Sequence, residues 1–313
     1  VKGSARFRDE DRVRLADDMV LQYKHFSELP PLDTLVAKVR RFADACMAMR
    51  NAPALKEDYK GPVMYEDDAA RQVFTENYLM PDKFYAQPSF AENPKSLGLK
   101  IGKKIMDERL TITNETARTD WNGTPLYGNY TVDADGFKPQ PTMTIVDKGV
   151  FKMMLNRVTP AQYALKSTGS ARWYNDPAQA IPGVGIGTLT VSATGTTNAA
   201  KMEKTLVKLA KKAKADCAYV ISKPADCTSL RLYRVDLKTG ERTLVKTNLI
   251  TLPTQDQMKH LEAISSSSQV VNCVRPYTYS VVTPSSVIIG DMELSVPTMK
   301  GSRKPELVYP LQR

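Results

Sequence analysis

From Gly102 onward the chain sets short apolar, β-branched runs against turn dipeptides, a rhythm that suits sheets and leaves room for few helices. Leu110–Thr113, Thr142–Val146 and Val150–Leu155 read as strands, spaced by Asn122-Gly123, Asp135-Gly136 and Asp147-Lys148-Gly149. The last turn is short enough to predict a hairpin. Leu189–Ser192, Ala218–Ile221, Leu230–Leu237, Thr243–Lys246, Tyr279–Thr283 and Ser286–Ile289 continue the pattern, with Thr239-Gly240 as a further turn. One helix interrupts it near 199–214, with Met202, Leu206, Leu209, Ala210 and Ala213 on one face and lysines on the other. Thr254 and Gln257 have capping-box spacing and predict a short helix carrying Met258, His260, Leu261 and Ile264.

The part before Gly102 reads differently. Apolar residues at helical spacing predict a helix from Asp33 to Asn51, with Asp33 as N-cap and Cys46 as a small core residue. Gly61–Tyr65 reads as a strand. Glu66-Asp67-Asp68 then suits the positive end of a helix carrying Ala69, Ala70, Val73 and Phe74. The Pro-rich stretch 81–100 reads as a long loop or flap, and 1–30 as the tail of a truncated N-terminal domain. The expected class is α+β, with a tail at 1–30, a helical central segment with the flap at 31–110, and a largely antiparallel, barrel-like β domain with a few covering helices at 111–313.

Composition limits the chemistry. The 313 residues are 42% hydrophobic and 25% charged, ordinary for a soluble globular chain. No run nears the ~20 apolar residues of a membrane helix, and no signal peptide opens the sequence. Four scattered Cys make no disulfide framework, so a cytoplasmic setting is expected. With only His25 and His260 and no Cys-x-x-Cys, there is no local zinc motif. The net charge of +10 is dispersed. Its two local clusters, Lys38-Val39-Arg40-Arg41 and 208–214, read as solvated helix faces, so a nucleic-acid-binding protein is only a second alternative.

Three local patterns carry little. Gly183-Val184-Gly185-Ile186-Gly187 lacks dinucleotide-loop spacing and leads into a strand. Asn114, Asn122 and Asn129 begin glycosylation-type triplets that arise easily in Thr-rich text. Glu66-Asp67-Asp68 could hold a hard cation, but a helix start explains it as well.

Several segments in register resemble the TldD/PmbA family of metallopeptidase-related "modulator of DNA gyrase" proteins. They are Asn51-Ala52-Pro53 with 61–70, Ile101-Gly102-Lys103-Lys104 with 110–112, 133–136 with 144–152, Ser167-Thr168-Gly169, and 281–294. The resemblance implies the central and C-terminal part of a longer, dimer-forming protein. The family's peptidases carry His-Glu-x-x-x-His on a helix, in which two His bind a metal and the Glu acts on a metal-bound water, with a C-terminal Cys as further ligand. Placed by Gly61-Pro62-Val63, the motif falls on 65–70. Glu66 matches its Glu, and Tyr65 and Ala70 replace both His. The resemblance therefore implies a metal-less pseudo-peptidase or partner subunit that binds peptide without a cofactor, as a homodimer or with a His-bearing sister subunit. Thr168, Gly169 and Arg172 are the expected groove residues. The alternative is an active zinc peptidase holding its metal through Glu66, Asp67 or Asp68 together with Cys273.

Overall fold

The computed structural model describes residues 2–8, 14–88, 93–175, 181–224, 227–247 and 250–296. In chain order, β1 (Lys2–Arg8) and β2 (Arg14–Val20) precede α1 (Leu32–Asn51), β3 (Tyr59–Asp67) and α2 (Asp68–Thr75). Next come β4 (Leu110–Glu115), β5 (Asp120–Trp121), β6 (Thr124–Pro125), β7 (Thr142–Asp147) and β8 (Val150–Phe151). After them follow β9 (Ala171–Arg172), β10 (Gly183–Val184), β11 (Thr188–Ala193) and α3 (Met202–Lys212). β12 (Cys217–Lys223), β13 (Arg231–Asp236), β14 (Arg242–Val245), β15 (Leu261–Ile264), β16 (Ser268–Cys273), β17 (Tyr279–Pro284) and β18 (Ser286–Leu294) complete the described chain.

Two six-stranded sheets carry the fold, ordered β16-β17-β11-β4-β7-β8 and β14-β13-β12-β3-β18-β15. Each contains one parallel pair, β11–β17 in the first and β12–β3 in the second, and is otherwise antiparallel. The chain changes sheets twice at neighbouring points, between β15 and β16 and, through Ser285 alone, between β17 and β18. Ser265, Ser267 and Ser285 bond to one another there through their hydroxyls, and Ser265 Oγ also accepts from Ser267 N–H at 3.2 Å.

β3 reads as unbroken apolar text because it is covered on both faces. Val63 and Tyr65 point into the core shared by the two sheets, with Ile112, Leu189 and Val281. Met64 points the other way, beneath Met202, Leu206 and Ala210 of α3 and beside Val220 and Ile288. A separate small cluster ties the β1–β2 hairpin to α1 and the β12–β13 connection through Met19, Leu21, Phe42, Cys46 and Cys227.

The α+β class holds, with neither sheet closed into a barrel. A boundary at 110 does not follow the sheets, since β3 lies between β12 and β18. The segment read as the tail of a truncated N-terminal domain contains a hairpin, whose mixed charges on a two-stranded ribbon conceal any period. α1 starts one residue before Asp33, and Pro31 holds the N-cap position. The Thr254–Gln257 capping box forms, with Thr254 N–H donating to Gln257 Oε1 at 2.8 Å. It caps a single 3-10 turn, however, and Leu261–Ile264 pairs with β18 as a strand. Apolar residues three apart suit either state, and the open sheet edge decides. His260 stands between the two. β16 carries little strand signal in the sequence, because its start lies in a serine run. Asn114 is fully buried in β4, where its side-chain carbonyl accepts from Gly187 N–H at 2.8 Å, so it is no glycan acceptor in the folded chain. The basic text at 300–305, with Gly301, Ser302 and Pro305, suits an exposed tail and lies outside the described residues.

Candidate functional site

The corner between β3 and α2 gathers the charged residues that the sequence singled out, then separates them. Asp67 takes φ 53° and ψ −139°, an uncommon backbone for a residue with a Cβ, and turns the chain sharply into α2. The three consecutive carboxylates consequently point to three different partners. Glu66 meets Arg242 in a two-pronged pair at 2.6 and 3.2 Å, and Arg242 also reaches Glu203 of α3 at 2.9 Å. Asp67 accepts from Ser222 Oγ at 2.8 Å. Asp68 accepts both Nε and Nη2 of Arg71, and Lys223 Nζ at 2.5 Å.

α2 itself is enclosed by β3, β12 and β17 and buries seven of its eight residues, including Asp68 and Arg71. Burial alone would raise the Asp68 carboxyl. The hydrogen bonds and charge of Arg71, then those of Lys223, outweigh it and leave the group below its ordinary value. Arg71 also donates to Thr75 Oγ1 at 3.1 Å and lies 3.9 Å from Glu76. Cys273 pairs in register with Tyr279 across β16 and β17 and feels the charges of Arg71, Asp68 and Lys223. Burial pushes its thiol up, more than a bond to Tyr279 and the two cations pull it down. Arg71, Lys223 and Tyr279 escape sequence reasoning because each is ordinary in its own segment. Only the pairing of β3 with β12 and of β16 with β17 assembles them.

Beyond the far end of α2 lies a cavity of about 420 Å³. Tyr85, Tyr174, Tyr277 and Tyr279 supply most of its rings, with Leu79 and Val184 between them. Pro81, Gln87 and Pro88 bring the Pro-rich segment into the lining. That segment is anchored by buried Phe84, Tyr85 and Ala86, with Ala86 N–H donating to Leu155 O at 2.8 Å. Among the described lining residues Arg157 is the charged one, and its guanidinium is committed to Asp135 and to Pro182 O.

The expected groove residues have internal roles. Thr168 Oγ1 bonds the Asn156 carbonyl at 2.8 Å and Ser170 Oγ at 2.9 Å. Gly169 turns the chain at φ 68° against Pro139, and its carbonyl accepts from Tyr130 OH. Arg172 lies over the Tyr130 and Tyr277 rings at 4.2 and 5.6 Å and donates to Thr278 O, behind the cavity wall. The glycines of 183–187 serve close packing, since a Cβ on Gly185 would strike Tyr277 and Arg172, and no helix follows them.

Residues 59–295 match the family model of the PmbA/TldA metallopeptidase C-terminal domain. The chain belongs to the TldD/PmbA family. Solved structures share the fold: TldE from Thermococcus kodakarensis (12% identity, TM-score 0.51, covering 82% of this chain and 56% of that one); and two proteins titled as modulators of DNA gyrase, from Thermotoga maritima (15%, 0.54, 93% and 61%) and Bacteroides thetaiotaomicron (13%, 0.51, 95% and 59%). The chain thus spans 56–61% of the length of these structures. A search of curated proteins gives no match.

Within that family the metal motif needs a helix, and Tyr65 and Glu66 end a strand. The glutamate adjoining α2 is Glu76, and the same six-residue frame there reads Thr75-Glu76-Asn77-Tyr78-Leu79-Met80. Neither frame holds a His. Among the described residues no three His, Cys, Asp or Glu side chains converge as a metal site. Around Asp68 and Cys273 stand Arg71 and Lys223, which bring positive charge instead of lone pairs, and the neutral phenol of Tyr279, so this donor set does not fit zinc. No described helix is long and apolar enough to cross a membrane.

Proposed function

We propose that the chain is a peptide-binding subunit of a TldD/PmbA-type peptidase that lacks its own metal and works beside a His-bearing sister subunit. The observation that carries this reading is the Asp68–Arg71–Lys223 cluster on α2. Two cations hold the carboxylate that a metal would otherwise claim, and each of the three acids at the corner is already satisfied elsewhere. The fold shared with the Thermococcus TldE supports it at the level of architecture. The tyrosine-lined cavity at the end of the same helix offers a place for a peptide side chain, and the sheet edges offer backbone groups for strand addition.

Elemental analysis of purified protein, dialysed without chelator, tests the metal half. The expected result is zinc well below one atom per chain. Near-stoichiometric zinc that is lost in Cys273→Ala would overturn the reading and favour a peptidase with a non-standard site. Mixing with a family subunit that carries His-Glu-x-x-x-His tests the other half: hydrolysis of an unfolded peptide should be faster in the mixture than with either subunit alone.

A further inference from the structure

The cavity at the end of α2 is unusual in what its polar atoms are doing. Tyr85 OH and Tyr277 OH bond each other at 2.8 Å, and Tyr277 OH also accepts from Ile186 N–H at 3.0 Å. Tyr174 OH donates to Val184 O at 2.6 Å. Burial raises the Tyr85, Tyr174, Tyr277 and Tyr279 hydroxyls above the ordinary phenol range, so all four stay neutral. Among the described lining residues the charged one is Arg157, which is neutralised by a two-pronged bond to Asp135, itself held below the ordinary carboxylate range once Arg157 outweighs the effect of burial. Beside the Gln87 amide, the described lining offers a ligand mostly carbon: ring faces, prolines and aliphatic side chains.

Those rings are fixed in advance. Tyr174 and Tyr277 stand 4.9 Å apart between centroids and Tyr277 and Tyr279 5.1 Å, tilted by 33° and 44°. The Arg172 guanidinium lies near the Tyr277 ring, 5.6 Å from its centroid. A row of oriented rings with no unpaired charge among the described lining residues suits a flat, uncharged side chain, which gains offset stacking beyond area burial. A charged side chain entering would lose water and find no counter-ion among the described lining residues, with only ring faces to answer a cation. At the rim Ile181 is 62% exposed, an aliphatic group left in water beside the opening.

We propose that this cavity is a side-chain pocket that selects an uncharged aromatic residue of a bound peptide; the proposal rests on the peptide-binding reading given above. The test uses the full chain and four blocked heptapeptides, Gly-Gly-Gly-X-Gly-Gly-Gly with X as Phe, Leu, Lys or Glu, titrated and followed by NMR. Phe should bind at least about tenfold tighter than Lys and Glu, with Leu between. Tyr174→Ala should remove most of that preference. Ile181→Glu changes an exposed rim residue without disturbing the core, and should shift the order toward Lys. Equal binding of all four peptides would overturn the pocket and leave peptide binding standing. No binding of any peptide would overturn both. A Phe preference unchanged in Tyr174→Ala and Ile181→Glu would place the selectivity elsewhere and also overturn the pocket.

Discussion

Two ionic clusters flank the β3–α2 corner, built from opposite stoichiometries. Glu66, Arg242 and Glu203 set two carboxylates on one cation, with side chains 20%, 31% and 36% exposed. Asp68, Arg71 and Lys223 set two cations on one carboxylate, with side chains 7%, 9% and 12% exposed. The surplus charge in the outer cluster is answered by water. In the inner one Asp68 balances a single charge, and Glu76, 3.9 Å from Arg71, is the further acid at the edge. Two acids of one sequence run thus have very different weight, because the strand-to-helix turn sends Glu66 toward α3 and Asp68 into the core.

The sharpest way to break the comparison is Asp68→Asn. It keeps the shape and removes the charge, leaving buried Arg71 and Lys223 with only the half-exposed Glu76, 3.9 Å from Arg71, as an ionic neighbour among the described residues. Removing one partner of a buried pair costs about 3–5 kcal/mol, a large part of a domain's stability. Urea unfolding should show a loss of that size. A loss under about 1 kcal/mol would mean that water already reaches the cluster.

Acid should reproduce part of that loss without mutation. Asp68 is held below its ordinary value of 3.8, so the stability it contributes is complete above that value and is lost as pH falls through the folded value. Asp107 acts in the same direction, held down to about 2 by Arg109 and by Leu261 N–H against the effect of burial. Unfolding midpoints measured from about pH 5 to pH 2 should therefore fall in the wild type, fall less in Asp68→Asn and less again when Asp107→Asn is added, the slope that remains belonging to other lowered carboxyls such as Asp135.

Much of this frame is legible in the sequence, and the illegible part has a physical reason. The strand runs, the 147–149 hairpin turn and both long helices are local signals, carried by β-branched content, turn residues and helical spacing. The β3-to-α2 transition was readable too, as apolar text followed by acids. What no local signal carries is which way each acid points. Glu66, Asp67 and Asp68 look interchangeable as text, and their roles are set by the backbone at Asp67 and by Lys223 and Arg242, more than 150 residues away in sequence. The motif frame at 65–70 fails for the same reason: spacing can be matched in a sequence, but a helix underneath it cannot be assumed.

A smaller effect is expected from Lys223→Met. It removes the surplus inner cation and leaves Asp68 and Arg71 as a neutral pair with the alkyl stem replaced. Apolar replacement within buried ionic clusters is often neutral or stabilising, so the change should lie within about 1 kcal/mol of zero, far from the effect of Asp68→Asn. A loss near that of Asp68→Asn would show that the cluster acts as one unit, with Arg71 alone unable to hold the carboxylate.

The smallest effect belongs to the outer cluster, and it tests the comparison from the other side. Arg242→Ala breaks two ion pairs at once, yet each partner regains water, and pairs this exposed typically contribute about 0–1 kcal/mol. A double-mutant cycle of Arg242→Ala with Glu203→Ala should give a coupling below about 1 kcal/mol that shrinks further in 1 M salt, where screening acts over ~3 Å. Asp68→Asn should keep its cost at the same salt, because ions do not enter the core around α2. A coupling at Arg242 above 2 kcal/mol, insensitive to salt, would mean that α3 seals the outer cluster more tightly than its exposure indicates. The contrast between the two clusters would then rest on stoichiometry alone, and burial would lose its place in the explanation.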